Sequence, residues 1–554
     1  MRVGIISVFT DYHRRGSHHR GVLQPQIGPL IAALLPREVE VDVINDTWEE
    51  PDWQRDYDLL FLSCLHSDFD RARQISHYWR RRGAKTVLGG TLASTYPQLS
   101  KPYFDAVAIG DAEGCVPAVY ADFDRGAVKP YYVSGRYDPA LLPVPRLDLV
   151  ARKQRMPVGL EAFRGCPFGC EFCALTALGT RFHARPAAAV AAEVEHARRM
   201  LRGHVSRFRR KVVGFYDNNI GGSIRRLREL CAALAPLGIR WASSITFNVV
   251  ADPENVRMLS RAGCRFLFVG LESFNPDALA DMNKHQNAVG QIRRVVDCCR
   301  DHGILVVAGL MLSPTIDDLD YIASIPERLE DCGLGVPAFV SFETPLPGTP
   351  WFKRLAAASE PALLPGALLR DFTGYTLVVR PAHAGVDEFI GAYRSLLGEV
   401  YAPGRRLAKI AADGARLLKR GYPFPALVGA MDQLSPQQAS WPWRTFVAGT
   451  DAPPPETVPL TDADFVSEAE RDAILAPARV TDAGGEILPC WLTPTRVYDT
   501  RGRPTAAAVA WSGEACSAPA PARSLPARAA QDAGLPDTAK PPNPLQPGLA
   551  PTAL

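Results

Sequence analysis

Three cysteines share one short loop. Cys166, Cys170 and Cys173 lie in the run Arg164-Gly-Cys-Pro-Phe-Gly-Cys-Glu-Phe-Cys173, with C-x3-C-x2-C spacing. Thiolates are the usual ligands of iron–sulfur clusters, and a complete protein set is four. Three thiolates leave one iron of a [4Fe-4S] cube without a protein ligand. That iron is free to bind a substrate or a cosubstrate, so the loop points to catalysis rather than structure. A closed zinc site also wants four ligands, commonly in paired C-x2-C knuckles. The competing readings are a zinc site completed by a distant histidine, or chance clustering in a chain of 12 cysteines. Context favours the cluster: an apolar, strand-like stretch from Met156 to Phe163 leads into the loop, and the aromatic Phe172 stands just before the last cysteine.

A loop of this kind needs a scaffold, and 554 residues imply two or three domains. Hydrophobic content of 47% and charged content of 22% suit globular domains. A net charge of +3 is too small to argue for nucleic acid or an anionic membrane. No apolar run reaches the length of a transmembrane helix. The start, Met1-Arg-Val-Gly-Ile-Ile, reads directly as a strand with no signal-peptide pattern. A thiolate cluster needs a reducing compartment, so the expected location is the cytoplasm, with peripheral membrane contact left open.

The first ~130 residues alternate strand and helix, the pattern of an open parallel sheet. Arg2–Val8, Val39–Ile44, Asp58–Ser63, Lys85–Leu88 and Ala106–Ile109 read as strands, and Pro29–Leu35 and Asp70–Arg82 as helices. In such sheets ligands bind at the carboxyl ends of strands. Those ends carry Asp11-Tyr-His13-Arg-Arg-Gly16, then Ser63-Cys-Leu65, then Gly89-Gly90. A histidine can coordinate a metal while an aspartate fixes its tautomer; the plainer alternative for His13 is an exposed loop histidine. Paired glycines let a ligand pass close to backbone.

Residues 131–155 are punctuated by proline and read as a linker. A second α/β repeat follows, with strand-like runs ending near Arg164, Asn219, Val250, Ser273, Ser313 and Thr344. The predicted division is 1–130, linker 131–155, 156–384, a helical segment 385–450, and a Pro/Ala-rich, largely disordered tail 451–554. Within the helical segment, Val386–Val400 and the basic stretch Arg405–Arg420 have apolar residues at helical spacing. Cys231, Cys264, Cys298, Cys299 and Cys332 read as core. The basic run Arg198–Lys211 reads as a solvated helix end, the alternative being a dock for an acidic electron donor or an anionic substrate.

The cysteine loop resembles the signature of the radical S-adenosylmethionine (SAM) superfamily in its C-x3-C-x-aromatic-C form. The resemblance implies a partial (β/α)6 TIM-type barrel, a [4Fe-4S] cluster on Cys166, Cys170 and Cys173, and SAM chelated to the open iron. Cleavage of SAM would then yield methionine and a 5′-deoxyadenosyl radical that abstracts hydrogen from an unactivated position. Phe215-Tyr-Asp217-Asn218-Asn219 ends the second barrel strand where the family places SAM contacts. Val269-Gly-Leu-Glu272-Ser273 ends the fourth and resembles G-[IL]-E-S, with Glu272 facing the ribose or amine of SAM. Thr344-Pro-Leu-Pro-Gly-Thr-Pro350 resembles a rigid turn found after the sixth strand.

The N-terminal motifs resemble D-x-H-x-x-G, S-x-L and G-G of cobalamin-binding domains, which have a Rossmann-like, flavodoxin-like sheet. Pro25-Gln-Ile-Gly28-Pro-Leu-Ile-Ala-Ala-Leu-Leu35 resembles the helix entry of the cobalamin-binding branch of radical SAM enzymes. Together the resemblances imply methylation of an unactivated carbon of a lipid or natural-product substrate, with cobalamin as methyl carrier and flavodoxin or ferredoxin as reductant. Ser63, Leu65, Gly89 and Gly90 would shape the cobalamin site, with Asp11, His13 and Gly16 beside it. The alternatives are oxidative cyclisation or rearrangement without net methyl transfer, and a non-catalytic corrinoid or redox sensor.

Overall fold

The computed structural model describes residues 1–9, 26–47, 49–134, 138–139, 142–153, 156–178, 182–287, 289–358, 362–435, 446–449 and 458–479. The expected Asp11, His13 and Gly16 lie outside the described residues, as does everything beyond 479.

Short runs of Val, Ile and Leu, broken by Gly, Asp and Asn, form the first sheet. Its strands are β1 (Arg2–Ser7), β2 (Glu40–Asn45), β3 (Leu59–Ser63), β4 (Lys85–Gly89), β5 (Ala106–Ile109) and β6 (Tyr131–Val133). They pair in the order β2-β1-β3-β4-β5-β6, and every pair is parallel. The strand order reverses between β1 and β3, which opens a crevice at their carboxyl ends. There Ser7 pairs with Ser63, and Ser63 in turn with Gly89. Strand β6 belongs to the sheet although its residues were expected to begin the linker. Its pairing with β5 supplies the ladder that the proline-rich surroundings disguise.

The second sheet comprises β7 (Val158–Leu160), β10 (Val212–Phe215), β11 (Arg240–Ile245), β12 (Cys264–Glu272), β13 (Leu305–Leu312) and β14 (Phe339–Phe342). Each strand lies beside the next in the chain, and all are parallel. This singly wound order, with helices between, is the expected partial six-stranded barrel. A small antiparallel ribbon, β8 (Phe163–Arg164) with β9 (His183–Ala184), pins the two ends of the cysteine loop together.

One contiguous apolar core runs through both sheets, from Ile6 and Leu62 to Phe215, Leu271 and Phe342. Leu147 and Ala151 of the connecting segment are buried in it. The helical segment does not cap the carboxyl mouth of the barrel, one of the roles open to it. The helix Val386–Val400 lies outside β14, where Tyr393 donates to the Val340 carbonyl (2.7 Å). The helix Pro423–Gln433 sits at the opposite, amino-terminal end: Phe424 meets Phe266 at the start of β12, and Tyr422 packs on Gly303 ahead of β13. Residues 458–479, expected within the disordered tail, form a strap instead. Asp464 accepts from Arg82 (2.9 Å), its carbonyl meets His77 (2.8 Å), and Asp70 accepts from the Ala478 amide (3.0 Å).

Arg164 joins the two sheets. Its guanidinium reaches Asp111 (2.9 Å) and Glu113 (2.8 Å) after β5, and Glu161 (3.0 Å) after β7. The cluster is partly open to solvent, with Arg164 18% and Asp111 33% exposed, so removing the cation costs less than in a fully buried pair, about 1–3 kcal/mol. Arg164→Met is expected to lose about that much stability in urea unfolding at fixed ionic strength. Adding Glu113→Gln, which removes one of the stranded carboxylates, should recover part of it.

Candidate functional site

The cysteine loop leaves β8 and is held from three sides. The loop after the helix Pro276–Asp281 grips it most closely: Glu171 donates its amide to the Met282 carbonyl (3.1 Å), and the Asn283 amide donates to the Gly169 carbonyl (2.9 Å). Asn283 has φ of +53°, the left-handed residue that ends a helix. Within the loop, the Cys170 carbonyl accepts from the Thr176 hydroxyl (2.9 Å) and the Cys173 amide (3.2 Å). The turn after β14 supplies the third side, where the Trp351 amide donates to the Glu171 carbonyl (3.2 Å) and Arg354 pairs with Glu171 (2.8 Å).

Two sulfurs have amide donors against them. Asn219 Nδ2 lies 3.7 Å from Cys166 Sγ, and Gln286 Nε2 lies 3.9 Å from Cys170 Sγ. Burial raises the thiol pKa of both Cys170 and Cys173; Lys284 opposes it at each, while the neighbouring cysteine sulfurs add to it. Lys284 forms a buried ion pair with Glu272 (2.5 Å), and its Nζ stands 5.9 Å from the Phe172 ring centroid. Burial acts to lower its pKa, but Glu272 and the two cysteines together hold it above the ordinary lysine value. Among the described residues no three His, Cys, Asp or Glu side chains converge on one mononuclear metal position. A cube with one iron per thiolate asks instead for thiols spread along a loop. Three thiols, two amide donors and a buried cation beside them fit an anionic iron–sulfur cluster.

Glu272 sits on strained backbone. Its φ is +65°, and the β12–β13 register slips between Gly270 and Glu272. The bulge turns the carboxylate back over Gly270, where a Cβ would collide with it and with Lys284. Such strain persists only where the surroundings enforce it, and here Asn287 ties down the Gly270 (3.0 Å) and Leu271 (2.7 Å) carbonyls.

The other expected SAM contacts divide. Asn219 reaches the cysteine loop as described, and Asn218 is exposed in the turn. Asp217 is turned away: its Oδ1 accepts from the Ala162 (2.8 Å) and Phe163 (3.1 Å) amides, and burial pushes its carboxyl well above the ordinary range. Ser273 is likewise committed, its hydroxyl 2.7 Å from that of Tyr321. Phe172 packs with Met282 and Met311.

At the first sheet, Ser63, Gly89 and Gly90 line the carboxyl edge together. Gly90 has φ of +95°, and a Cβ there would meet the Cys64 carbonyl at 2.7 Å and Ser63 Oγ at 3.0 Å. Leu65 is 53% exposed beside them. The helix Thr91–Thr95 that begins after Gly90 packs against the helix Ala174–Leu178 that begins after Cys173. Gly348 of the Thr344–Pro350 turn closes on both, 3.4 Å from Ala177 and 3.6 Å from Thr95 as a Cβ would see them. The Gly-Gly edge and the cysteine loop, ~80 residues apart in sequence, are thus neighbours in the fold. Sequence reasoning missed Lys284, Gln286 and Asn283, although the polar run Asn283-Lys-His-Gln-Asn287 just after a short helix was a visible signal. It also missed His66, buried 2.9 Å from Thr95 Oγ1 and held neutral, its pKa lowered by burial to about 4.

Comparison with known proteins agrees with this geometry. The family model of the radical SAM superfamily matches residues 160–325. Bacteriochlorophyllide d C-8(2)-methyltransferase of Chlorobaculum tepidum is 24% identical over 331 residues, 58% of this chain and 73% of that protein. Hopanoid C-2 methylase of Rhodopseudomonas palustris is 25% identical over 354 residues, 60% of this chain and 64% of that protein. Among solved structures, the radical SAM methyltransferase TsrM from Kitasatospora setae, with cobalamin and a [4Fe-4S] cluster bound, superposes with a TM-score of 0.53. The match covers 80% of this chain and 97% of that one at 17% identity, a likeness of fold across both sheets. The barrel that carries the cysteine loop is a radical SAM domain.

Proposed function

We propose that this chain is a cobalamin-dependent radical SAM methylase acting on an unactivated carbon of a lipid or natural-product substrate. The observation that carries the reading is the contact between the helix after Gly89-Gly90 and the helix after Cys173. A methyl carrier on the first sheet and a radical source on the barrel must face one substrate, and this contact puts their two edges together. The named relatives act as methyltransferases, and TsrM was solved with both cofactors, which supports the same reading. When bound, the cluster supplies the electron that cleaves SAM to methionine and a 5′-deoxyadenosyl radical, and cobalamin supplies the methyl group.

In this reading Cys166, Cys170 and Cys173 hold the cluster, and Asn219 and Gln286 direct N–H groups at two of its sulfurs. Lys284 offsets the cluster's negative charge and fixes Glu272, whose carboxylate is aimed to accept from the ribose or amine of SAM. Asn218 is the exposed residue of its turn and is free to meet SAM. Asp217 and Ser273 act as positioning residues: Asp217 Oδ1 and the Ser273 hydroxyl are committed to the frame, and Asp217 Oδ2 is buried without a hydrogen-bond partner. Phe172 shields the cluster, and Ser63, Leu65, Gly89 and Gly90 border cobalamin. The electron donor is proposed to be a flavodoxin or ferredoxin. The basic run Arg198–Lys211 precedes β10 and so lies at the far end of the barrel from the cluster. Among the described residues no helix is long and apolar enough to cross a membrane.

Anaerobically reconstituted wild type is expected to hold about four irons per chain and one cobalt, and to make S-adenosylhomocysteine and 5′-deoxyadenosine together. Cys166→Ala, Cys170→Ala or Cys173→Ala should each lose most of the iron and all 5′-deoxyadenosine. Production of 5′-deoxyadenosine alone, with no cobalt bound, would reject methyl transfer in favour of rearrangement. Lys284→Met is expected to keep the iron but slow SAM cleavage at least about tenfold, as expected when a buried charge pair is broken. Lys284→Arg should restore part of the rate; single-turnover assays with dithionite read both.

A further inference from the structure

One buried acid in the barrel has no part in the site described so far. Glu343 follows β14 directly, and its amide continues the parallel ladder by donating to the Leu312 carbonyl (2.8 Å). Side chains alternate along a strand. Val340 and Phe342 face outward, where Phe342 stacks on Tyr393 at 4.3 Å between centroids. Phe339, Ser341 and Glu343 therefore face the barrel interior, level with Gly309, Met311 and Ser313 of the next strand. That interior is apolar: Phe268 and Phe339 stack 5.7 Å apart across Gly309, and Met311 packs with Phe172 of the cysteine loop.

Glu343 is 1% exposed. Its Oε2 accepts from the Ser313 hydroxyl (2.7 Å), while Oε1 is buried without a hydrogen-bond partner. A buried polar atom left alone is unfavourable, and a bound water or a ligand atom at this position would relieve it. The groups around it oppose a second negative charge. Asp317 lies behind Ser313, accepting its amide (2.7 Å); Asp281 lies across the mouth; Arg354 is near, but shared between Asp281 (3.1 Å) and Glu171. Burial, then Asp281 and Asp317, push the Glu343 carboxyl up to about 8, against the Ser313 hydrogen bond and Arg354. With Ser313 donating to Oε2, the protonated form of the acid presents its O–H at Oε1.

We propose that Glu343, seated by Ser313, is a substrate-selecting residue of the barrel that donates a hydrogen bond from Oε1 to a neutral carbonyl or hydroxyl oxygen of the substrate. The inference rests on the reading of the barrel interior as the substrate chamber. Anionic groups are rejected there by Asp281 and Asp317, and a purely hydrocarbon substrate would leave the acid unsatisfied.

The test is binding, so that it does not depend on turnover. Full-length protein carrying its reconstituted cluster is titrated with acetophenone and with ethylbenzene by saturation-transfer NMR at pH 7 and pH 9. Wild type is expected to prefer acetophenone at pH 7 and to lose about tenfold of that preference by pH 9, as the acid deprotonates through about 8. Glu343→Gln still offers an N–H, so it should keep the preference with no pH dependence. Glu343→Leu should show none at either pH. Equal affinity for the two probes in wild type overturns the proposal, as does a pH-dependent preference that survives either substitution. A preference that rises with pH also overturns it, because the carboxylate would then be accepting from a donor. A tenfold loss of SAM affinity in Glu343→Gln, with the probe preference intact, would assign the residue to the cosubstrate instead. Should Glu343→Leu fail to fold, the pH dependence of wild type against Glu343→Gln still decides. Absence of methyl transfer alongside the expected probe pattern would count against the methylase reading and not against this one.

Discussion

The cluster of charges around Arg164 carries more of this architecture than any other single interaction. One guanidinium, two residues before the first cysteine, reaches carboxylates on both sheets. Burial works against its charge, yet the surrounding acids hold it firmly protonated. An arginine is suited to this because its planar fork meets several carboxylates at once and keeps its charge. The root of the cysteine loop is thereby fixed relative to the carboxyl edge of the first sheet. The ribbon β8–β9 closes the loop behind it, and the contact between the Gly-Gly helix and the Cys173 helix can then form in one register only.

Around the loop, charge is balanced locally. Lys284 answers Glu272 and the thiols at once, and the strained backbone at Glu272 is what lets the carboxylate fold back to meet it. The amides of Asn219 and Gln286 reach the sulfurs from two different strand ends, one after β10 and one after β12. Outer-sphere contacts of this kind orient ligands and tune a metal centre. Farther along the mouth, Glu343 is the same chemistry inverted: a buried acid with like charges near it, its pKa pushed up to about 8.

Much of this was legible in the chain. Most strands announced themselves as short apolar runs between helical segments, and the three cysteines because their spacing serves no ordinary fold. What was hidden depends on distance in sequence. Lys284 sits in an ordinary polar run, and only the fold brings it beside Phe172 and Glu272. Asp217 sits where the family places a cofactor contact, but two backbone amides of the preceding strand connection claim it first. The helix Pro423–Gln433 falls within the expected helical segment 385–450, and composition cannot say which end of a barrel a helix will close. Residues 458–479 were obscured by composition, since the prolines around them mask a short capped helix, Glu468–Leu475, that folds only against the first sheet.

That strap also bears on how the protein is made. The helix Phe69–Arg80 leaves the ribosome well before the strap, and Asp70 awaits the amide of Ala478, 408 residues later. At about 5–20 residues per second, that wait is roughly 20–80 s. Throughout it, His77 and Arg82 lack their partners from the strap. The barrel emerges in the interval, so the cysteine loop meets the first sheet while that sheet is still bare on one flank. The strap is synthesised after both sheets, and it acts as a latch drawn over two layers made before it.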